Sequence, residues 1–232
     1  MNDAEDLFDQ YAAAYEEALS NAIAPSGESR EYFAEGRVAW LKRCLEERNE
    51  TVEALLDFGC GDGATTPLLF QALNAKSAAG VDVSAKSLEI ARKRHGNEQI
   101  RYESIGEFQS SGQMDLAYCN GVFHHIVPAQ RAAALAMVFR SLRAGGYFSF
   151  WENNPWSLAT RYVMSRCAFD RDAIMLTPPE ARALLREGGF EILRTDFRFI
   201  FPRALRAMRK IEDWVNRAPF GTQYQVLCRK TR

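Results

Sequence analysis

Apolar positions along this chain repeat with two periods that alternate. Residues 3–20 place Leu7, Tyr11, Ala14, Tyr15 and Ala18 at helical spacing, and Pro25 and Gly27 then break the run. A second helix is predicted over 30–48, marked by Tyr32, Phe33, Val38, Leu41 and Leu45. From residue 52 onward, short apolar runs alternate with helical stretches. The predicted strands are 52–58 (VEALLDF), 77–83 (SAAGVDV), 99–104 (QIRYES), 114–120 (MDLAYCN), 146–153 (GYFSFWEN), 191–201 and 222–230. The predicted helices are 65–74, 85–96, 128–146 and 178–190, and the last two each open on proline and close on glycines. Alternation of this kind predicts a doubly wound, seven-stranded α/β sheet, mostly parallel, with helices on both faces. The two consecutive strands at the end predict an antiparallel last strand. Two inserts, 153–178 and 203–219, interrupt the pattern, and inserts of this length in a compact fold are often functional.

Composition narrows the class. The 232 residues are 47% hydrophobic and 25% charged, enough for a sizeable core in one large domain. A formal net charge of -1 gives no global pull toward nucleic acid or a membrane. The five cysteines, Cys44, Cys60, Cys119, Cys167 and Cys228, form no C-x-x-C pair. That argues against a disulfide framework or zinc knuckle and favours a reducing compartment. The opening MNDAEDLFDQ lacks the basic and apolar regions of a secretory signal. No apolar run approaches the ~18 residues of a membrane-spanning helix. A cytoplasmic protein without a bound metal is expected.

The stretch LLDFGCGDGATT, residues 55–66, carries the first chemistry. It ends a predicted strand in Asp57 and places Gly59, Gly61 and Gly63 at alternate positions. In an open parallel sheet such a turn lies where ligands bind, and its glycines let backbone approach them closely. A dinucleotide turn reads G-x-G-x-x-G and seats a diphosphate. Here the spacing is G-x-G-x-G, with Asp57 and Asp62 beside it, and carboxylates repel a diphosphate. Asp82 closes the second strand, where an acid can bind both ribose hydroxyls. Together these features ask for a nucleoside with a free ribose diol and a cationic tail, which S-adenosylmethionine has.

LLDFGCGDG and GVDVS at this separation, with MDLAYCNGVFHHI and FRSLRAGGYF, resemble the class I S-adenosylmethionine-dependent methyltransferases over roughly residues 50–230. The resemblance implies a Rossmann-like methyltransferase fold, S-adenosylmethionine as cofactor and S-adenosylhomocysteine as product. It implies Asp57, Gly59, Cys60 and Gly61 in the cofactor loop, Asp82 on the ribose and Val83 against the adenine. Ser104 and Ile105 would lie at the adenine edge, and Asn120 near the methionine part. The family often has an acid in the third-strand loop; in YESIGEF, Glu103, Ser104 and Glu107 compete for that role. FDQYAAAY is similar to the lid of small-molecule members, with Tyr11 or Tyr15 closing over the methionine part, so residues 1–49 are expected to form a helical lid on a 50–232 domain. EGRVAWL is similar to the ubiquinone-pathway O-methyltransferases, which implies Arg37 on the methionine carboxylate.

The acceptor side is less patterned. In FHHI, His124 and His125 are candidates to take a proton from the acceptor, while a packing or helix-capping role is the structural alternative. Methyl transfer to a good nucleophile also proceeds by alignment alone. NNPW, 153–156, looks like an amino-methylating nucleic-acid motif, but it follows the fifth predicted strand rather than the fourth. No nucleic-acid partner is therefore expected. Trp151, Trp156 and Tyr162 are expected to wall an acceptor pocket, with Arg161 or Arg166 meeting an acidic group. Leu205, Met208, Ile211 and Val215 form an apolar stripe among basic residues. It is expected to pack on the domain; contact of 203–217 with a membrane is the lesser reading and would imply an amphiphilic acceptor. The expected function is methyl transfer to a small-molecule acceptor. The alternatives are a nucleic-acid or protein methyltransferase, or a silent cofactor-binding regulatory subunit.

Overall fold

The computed structural model describes residues 20–167, 170 and 172–231. The helix predicted over 3–20, with Tyr11 and Tyr15, lies outside the described residues. In chain order the elements are α1 (Arg30–Glu46), β1 (Ala54–Phe58), α2 (Thr65–Ala72), β2 (Ser77–Asp82), α3 (Ala85–His95), β3 (Ile100–Ser104), β4 (Met114–Asn120), α4 (Pro128–Ser141), β5 (Leu142–Asn153), α5 (Leu158–Arg166), α6 (Pro178–Glu187) and β6 (Phe190–Arg198), followed by a 3₁₀ segment (Arg203–Ile211), α7 (Glu212–Val215) and β7 (Gln223–Lys230). The seven strands form one sheet in the order β3-β2-β1-β4-β5-β7-β6. Only β7 runs antiparallel to its neighbours, β5 and β6. Strand order reverses between β1 and β4, so the crevice of the fold opens beyond their carboxyl ends.

Pleating divides the core in two. Leu55 and Leu116 point into one layer with Trp40, Leu41 and Leu45 of α1. Leu56 and Ala117, one residue on, point into the other, with Leu135 of α4 and Leu185 of α6. Helix α1 thus belongs to the core of the sheet, although it precedes the first strand. Ser29 caps it by accepting from the Tyr32 amide.

Three expectations change. The helix predicted over 128–146 ends at Ser141, and β5 starts at Leu142. Leu142 pairs with Met114, and the register then shifts. Gly145 takes φ 74°, and a Cβ on Gly146 would stand 3.0–3.2 Å from three carbonyl oxygens. The glycines therefore shape an irregularity inside a strand and do not close a helix. Trp151 does not wall a pocket: it is fully buried in the core near Phe199. The stripe at 205–211 does not bury fully, since Leu205, Met208 and Ile211 each stay nearly half exposed. Among the described residues, no helix is long and apolar enough to cross a membrane.

Gly63 joins the glycine turn to this core. Its φ is 77°, and an added Cβ would lie 2.8 Å from both Ala91 Cβ and Tyr102 Cε1. Gly63→Ala is expected to lower stability by roughly 1–3 kcal/mol, through overpacking and left-handed strain. Urea denaturation reads the loss; an unchanged midpoint would mean that the turn gives way without cost.

Candidate active site

The glycine turn is tied to β2 by consecutive amides. Gly59 and Cys60 both donate to the Val81 carbonyl, at 2.8 and 3.0 Å. Gly61 donates to Asp82 Oδ2 at 2.8 Å, while Asp82 Oδ1 accepts from Ser84 at 2.9 Å. Gly59 has φ 74°, and a Cβ there would meet Val122 Cγ2 at 2.3 Å, so only glycine fits. Gly61 also has positive φ, yet a Cβ there would meet nothing within 4 Å: this part of the turn faces open space. Cys60 is buried, and burial pushes its thiol well above the ordinary value, as suits a packing residue.

The two acids of the turn separate. Asp62 forms a bidentate pair with Arg30, at 2.6 and 2.7 Å, and its charge is spent there. Asp57 is buried and accepts from Thr66 Oγ1 at 2.7 Å. Burial pushes its carboxyl up to about 7 against the Thr66 hydrogen bond, and the nearby Asp82 charge adds to the rise.

A cavity of about 460 Å³ starts at this turn. Asp57, Gly59, Cys60, Gly61, Arg37 and Asn120 all line it. Arg37 is buried; its Nε donates to Tyr118 Oη at 3.1 Å and its Nη1 to Gln223 Oε1 at 3.0 Å. Asn120 Oδ1 is buried with no hydrogen-bond partner among the described residues. Among the described residues Arg37 forms no ion pair within 4 Å. It shares the cavity with the unpartnered Asn120 oxygen and with buried Asp57, a lining that suits a ligand carrying both a carboxylate and an ammonium. The amino-acid end of S-adenosylmethionine meets both demands.

Asp82, Val83, Ser104 and Ile105 lie outside the cavity lining. Val83 is 38% exposed at the end of β2. Ile105 donates its amide to the Asp82 carbonyl at 3.0 Å, and Ser104 Oγ donates to Glu107 Oε2 at 2.9 Å. Asp82, Ser104 and Ile105 therefore share one rim.

His124, His125 and Asp170 line the same cavity. His124 is buried, and its Nδ1 donates to Glu152 Oε2 at 2.5 Å; Glu152 Oε1 accepts from the Phe123 amide at 2.8 Å. His124 Nε2 and His125 Nε2 stand 3.5 and 3.3 Å from the same oxygen, Asp170 Oδ1. Burial opposes charge on His124, but Glu152 and Asp170 outweigh it and hold the group at about 10. Burial pushes His125 below its ordinary value, and the His124 charge adds to this. Asp170 is held down at about 2 by the two imidazoles, although burial opposes it. Glu152 and Asp170 escaped the sequence reading. Glu152 had a readable sign, an acid inside an apolar strand, whereas Asp170 lies in an insert without periodicity. Tyr162 lines the cavity as expected, whereas Trp156 is half exposed and stacks on Phe197. Arg161 does not line it, and Arg166 lies over the Tyr162 ring at 5.3 Å.

The chain is similar to known proteins in the same region. Residues 56–150 match the family described as a methyltransferase domain. A trans-aconitate 2-methyltransferase of Rhizobium etli is 35% identical over 68 residues, covering 29% of this chain and 27% of that protein. The chain thus spans under a third of the trans-aconitate methyltransferases it matches. A ribosomal RNA small subunit methyltransferase C of Shewanella loihica is 31% identical over 134 residues, covering 54% of this chain and 39% of that one. In structure, geranyl diphosphate C-methyltransferase of Streptomyces coelicolor, crystallised with Mg2+, geranyl diphosphate and S-adenosyl-L-homocysteine, superimposes with a TM-score of 0.60. It is 12% identical, and the match covers 83% of this chain and 80% of that one, a likeness of fold.

The raised Asp57 has a measurable consequence for stability. The folded chain keeps a proton that the unfolded chain releases near 3.8, so between about pH 4 and 7 stability falls as pH rises. Asp57→Asn removes this liability. At pH 8 the variant without ligand should be more stable by roughly 2 kcal/mol or more, and the gain should shrink toward pH 5. Thermal melting at both values checks it; a gain equal at both values would place the effect elsewhere.

Proposed function

We propose that the chain, whose residues 56–150 match a methyltransferase domain, is a class I S-adenosylmethionine-dependent methyltransferase that transfers a methyl group from S-adenosylmethionine to a small-molecule acceptor and releases S-adenosylhomocysteine. The observation that carries this reading is the pairing of buried Arg37 with the unpartnered Asn120 oxygen in one cavity. Arg37 takes the methionine carboxylate; Asn120 and Asp57 take the ammonium. Gly59, Cys60 and Gly61 pass beneath the ligand with their backbone. Asp82 takes the ribose hydroxyls, since a carboxylate has lone pairs left after accepting two amides. Val83, Ser104 and Ile105 border the adenine, and Tyr11 or Tyr15 would close the lid.

The bound cofactor supplies a methyl carbon already activated by positive sulfur. The protein has to align the acceptor behind that carbon and exclude water. His124 and His125, which line the same cavity, are proposed to position the acceptor's nucleophile. The apolar walls at Tyr162, Val163 and Phe201 suit a small molecule better than a strand of RNA. The similarity to a trans-aconitate methyltransferase and the fold of a geranyl diphosphate methyltransferase support the same class of acceptor.

Calorimetry tests the cofactor reading. S-adenosylhomocysteine should bind, and Asp82→Ala should weaken it at least about tenfold, ~1.4 kcal/mol. Arg37→Ala should weaken S-adenosylhomocysteine by a similar factor but leave 5′-methylthioadenosine, which lacks the amino-acid end, unaffected. Equal losses for both ligands would remove Arg37 from the carboxylate. Affinity for S-adenosylhomocysteine should also fall as pH drops below about 7, where Asp57 takes up its proton. A metabolite screen with labelled methyl donor tests transfer; cofactor binding with no labelled product would favour a silent binding subunit, and labelled RNA a nucleic-acid enzyme.

A further inference from the structure

We propose that His124, His125 and Asp170 bind one divalent transition-metal ion at the wall of the cavity. The ion itself does not rest on the methyl-transfer reading, because the geometry alone carries it.

Three ligand atoms converge. His124 Nε2, His125 Nε2 and an Asp170 carboxylate oxygen all lie within 4.8 Å of one another. The separations to Asp170 Oδ1 are 3.5 Å from His124 and 3.3 Å from His125. Metal–ligand bonds of about 2.0–2.1 Å in a tetrahedral site put neighbouring ligand atoms about 3.4 Å apart. Two edges of the triangle already have that length.

The outer contacts fit as well. His124 spends Nδ1 on Glu152, whose other oxygen is held by the Phe123 amide. That fixes the ring and directs Nε2 to the cluster, as a carboxylate behind a metal-bound histidine does. Charge points the same way: Glu152 and Asp170 bring two carboxylates into a largely buried cluster, and a dication balances them. Two imidazoles and one carboxylate suit zinc, iron(II), cobalt or manganese better than magnesium or calcium. All three ligands also line the cavity, so the remaining coordination positions open toward it, as in a reactive rather than a purely structural site.

The competing occupant is a proton alone, on His124 between the two carboxylates. Metal titration separates the two. The full chain is stripped with chelator and titrated with Zn2+ by calorimetry and with Co2+ by visible absorption, without cofactor or acceptor. One equivalent should bind, Co2+ should develop ligand-field bands, and Zn2+ should raise the melting temperature. Asp170→Asn and His125→Ala should each weaken binding more than tenfold, and Glu152→Gln about 10- to 100-fold. His95→Ala, outside the cluster, should bind like the wild type. The proposal fails if neither ion binds saturably, or if Asp170→Asn binds as tightly as the wild type. Either failure leaves the S-adenosylhomocysteine measurement standing on its own.

Discussion

The glycine turn holds its shape because β2 satisfies its amides. Val81 lends one carbonyl oxygen to two of them, and the Asp82 carboxylate takes the third. Without these acceptors, the amides of Gly59, Cys60 and Gly61, the two glycines in left-handed backbone, would have nothing to hold them against β2. The rest of the site follows. The turn stays open above Gly61, Asp57 is sealed beneath it with Thr66, and the Asp82 side chain is brought to the same rim as Ser104 and Ile105. Asp82 is thereby an architectural residue as well as a proposed ribose ligand, and its removal bears on both roles.

The cavity is lined by two groups of charges with different electrostatic demands. Near the turn, Arg37 is buried with only neutral acceptors in its described hydrogen bonds, and Asp57 is buried with a hydroxyl. Arg37 is a charge kept out of water, and burial resists charge on Asp57; a zwitterionic ligand would relieve both costs. Glu152 and Asp170 close around two imidazoles and favour positive charge there. Apolar and aromatic walls of the same cavity come from α5 and from residues 199–202. Phe199 among these has φ 61°, strain for a bulky residue, and packs on Gly36, where an added Cβ would come within 2.7 Å of its ring.

Most of the fold was legible because its signals are local. Alternating periods marked seven strands and the helices between them, and the order of turn, Asp57 and Asp82 marked the cofactor end. The errors are local too. Gly145 and Gly146 read as a helix stop because proline and glycine bracketed the run, yet pairing of Leu142 with Met114 draws those residues into the sheet. Trp151 read as pocket wall because it neighbours the insert. The pleat decides otherwise: it shares a face with Tyr147, in the layer that α1 covers. Asp62 read as a free acid, and only the approach of α1 reveals Arg30 against it.

By itself, the sequence determined the α/β sheet and the glycine turn with Asp57 and Asp82 beside it. Each of these depends on residues within one strand–turn–helix unit, where spacing translates directly into geometry. The tertiary structure decided which charges remain uncompensated and which side chains converge. Arg37 meets Tyr118 and Gln223 from distant parts of the chain, and His124 meets Glu152 and Asp170 across strand β5 and an insert. Such contacts have no period to read. They exist because the sheet brings the carboxyl ends of β1, β4 and β5 to one crevice, and burial there makes every unpaired charge costly enough to demand a partner.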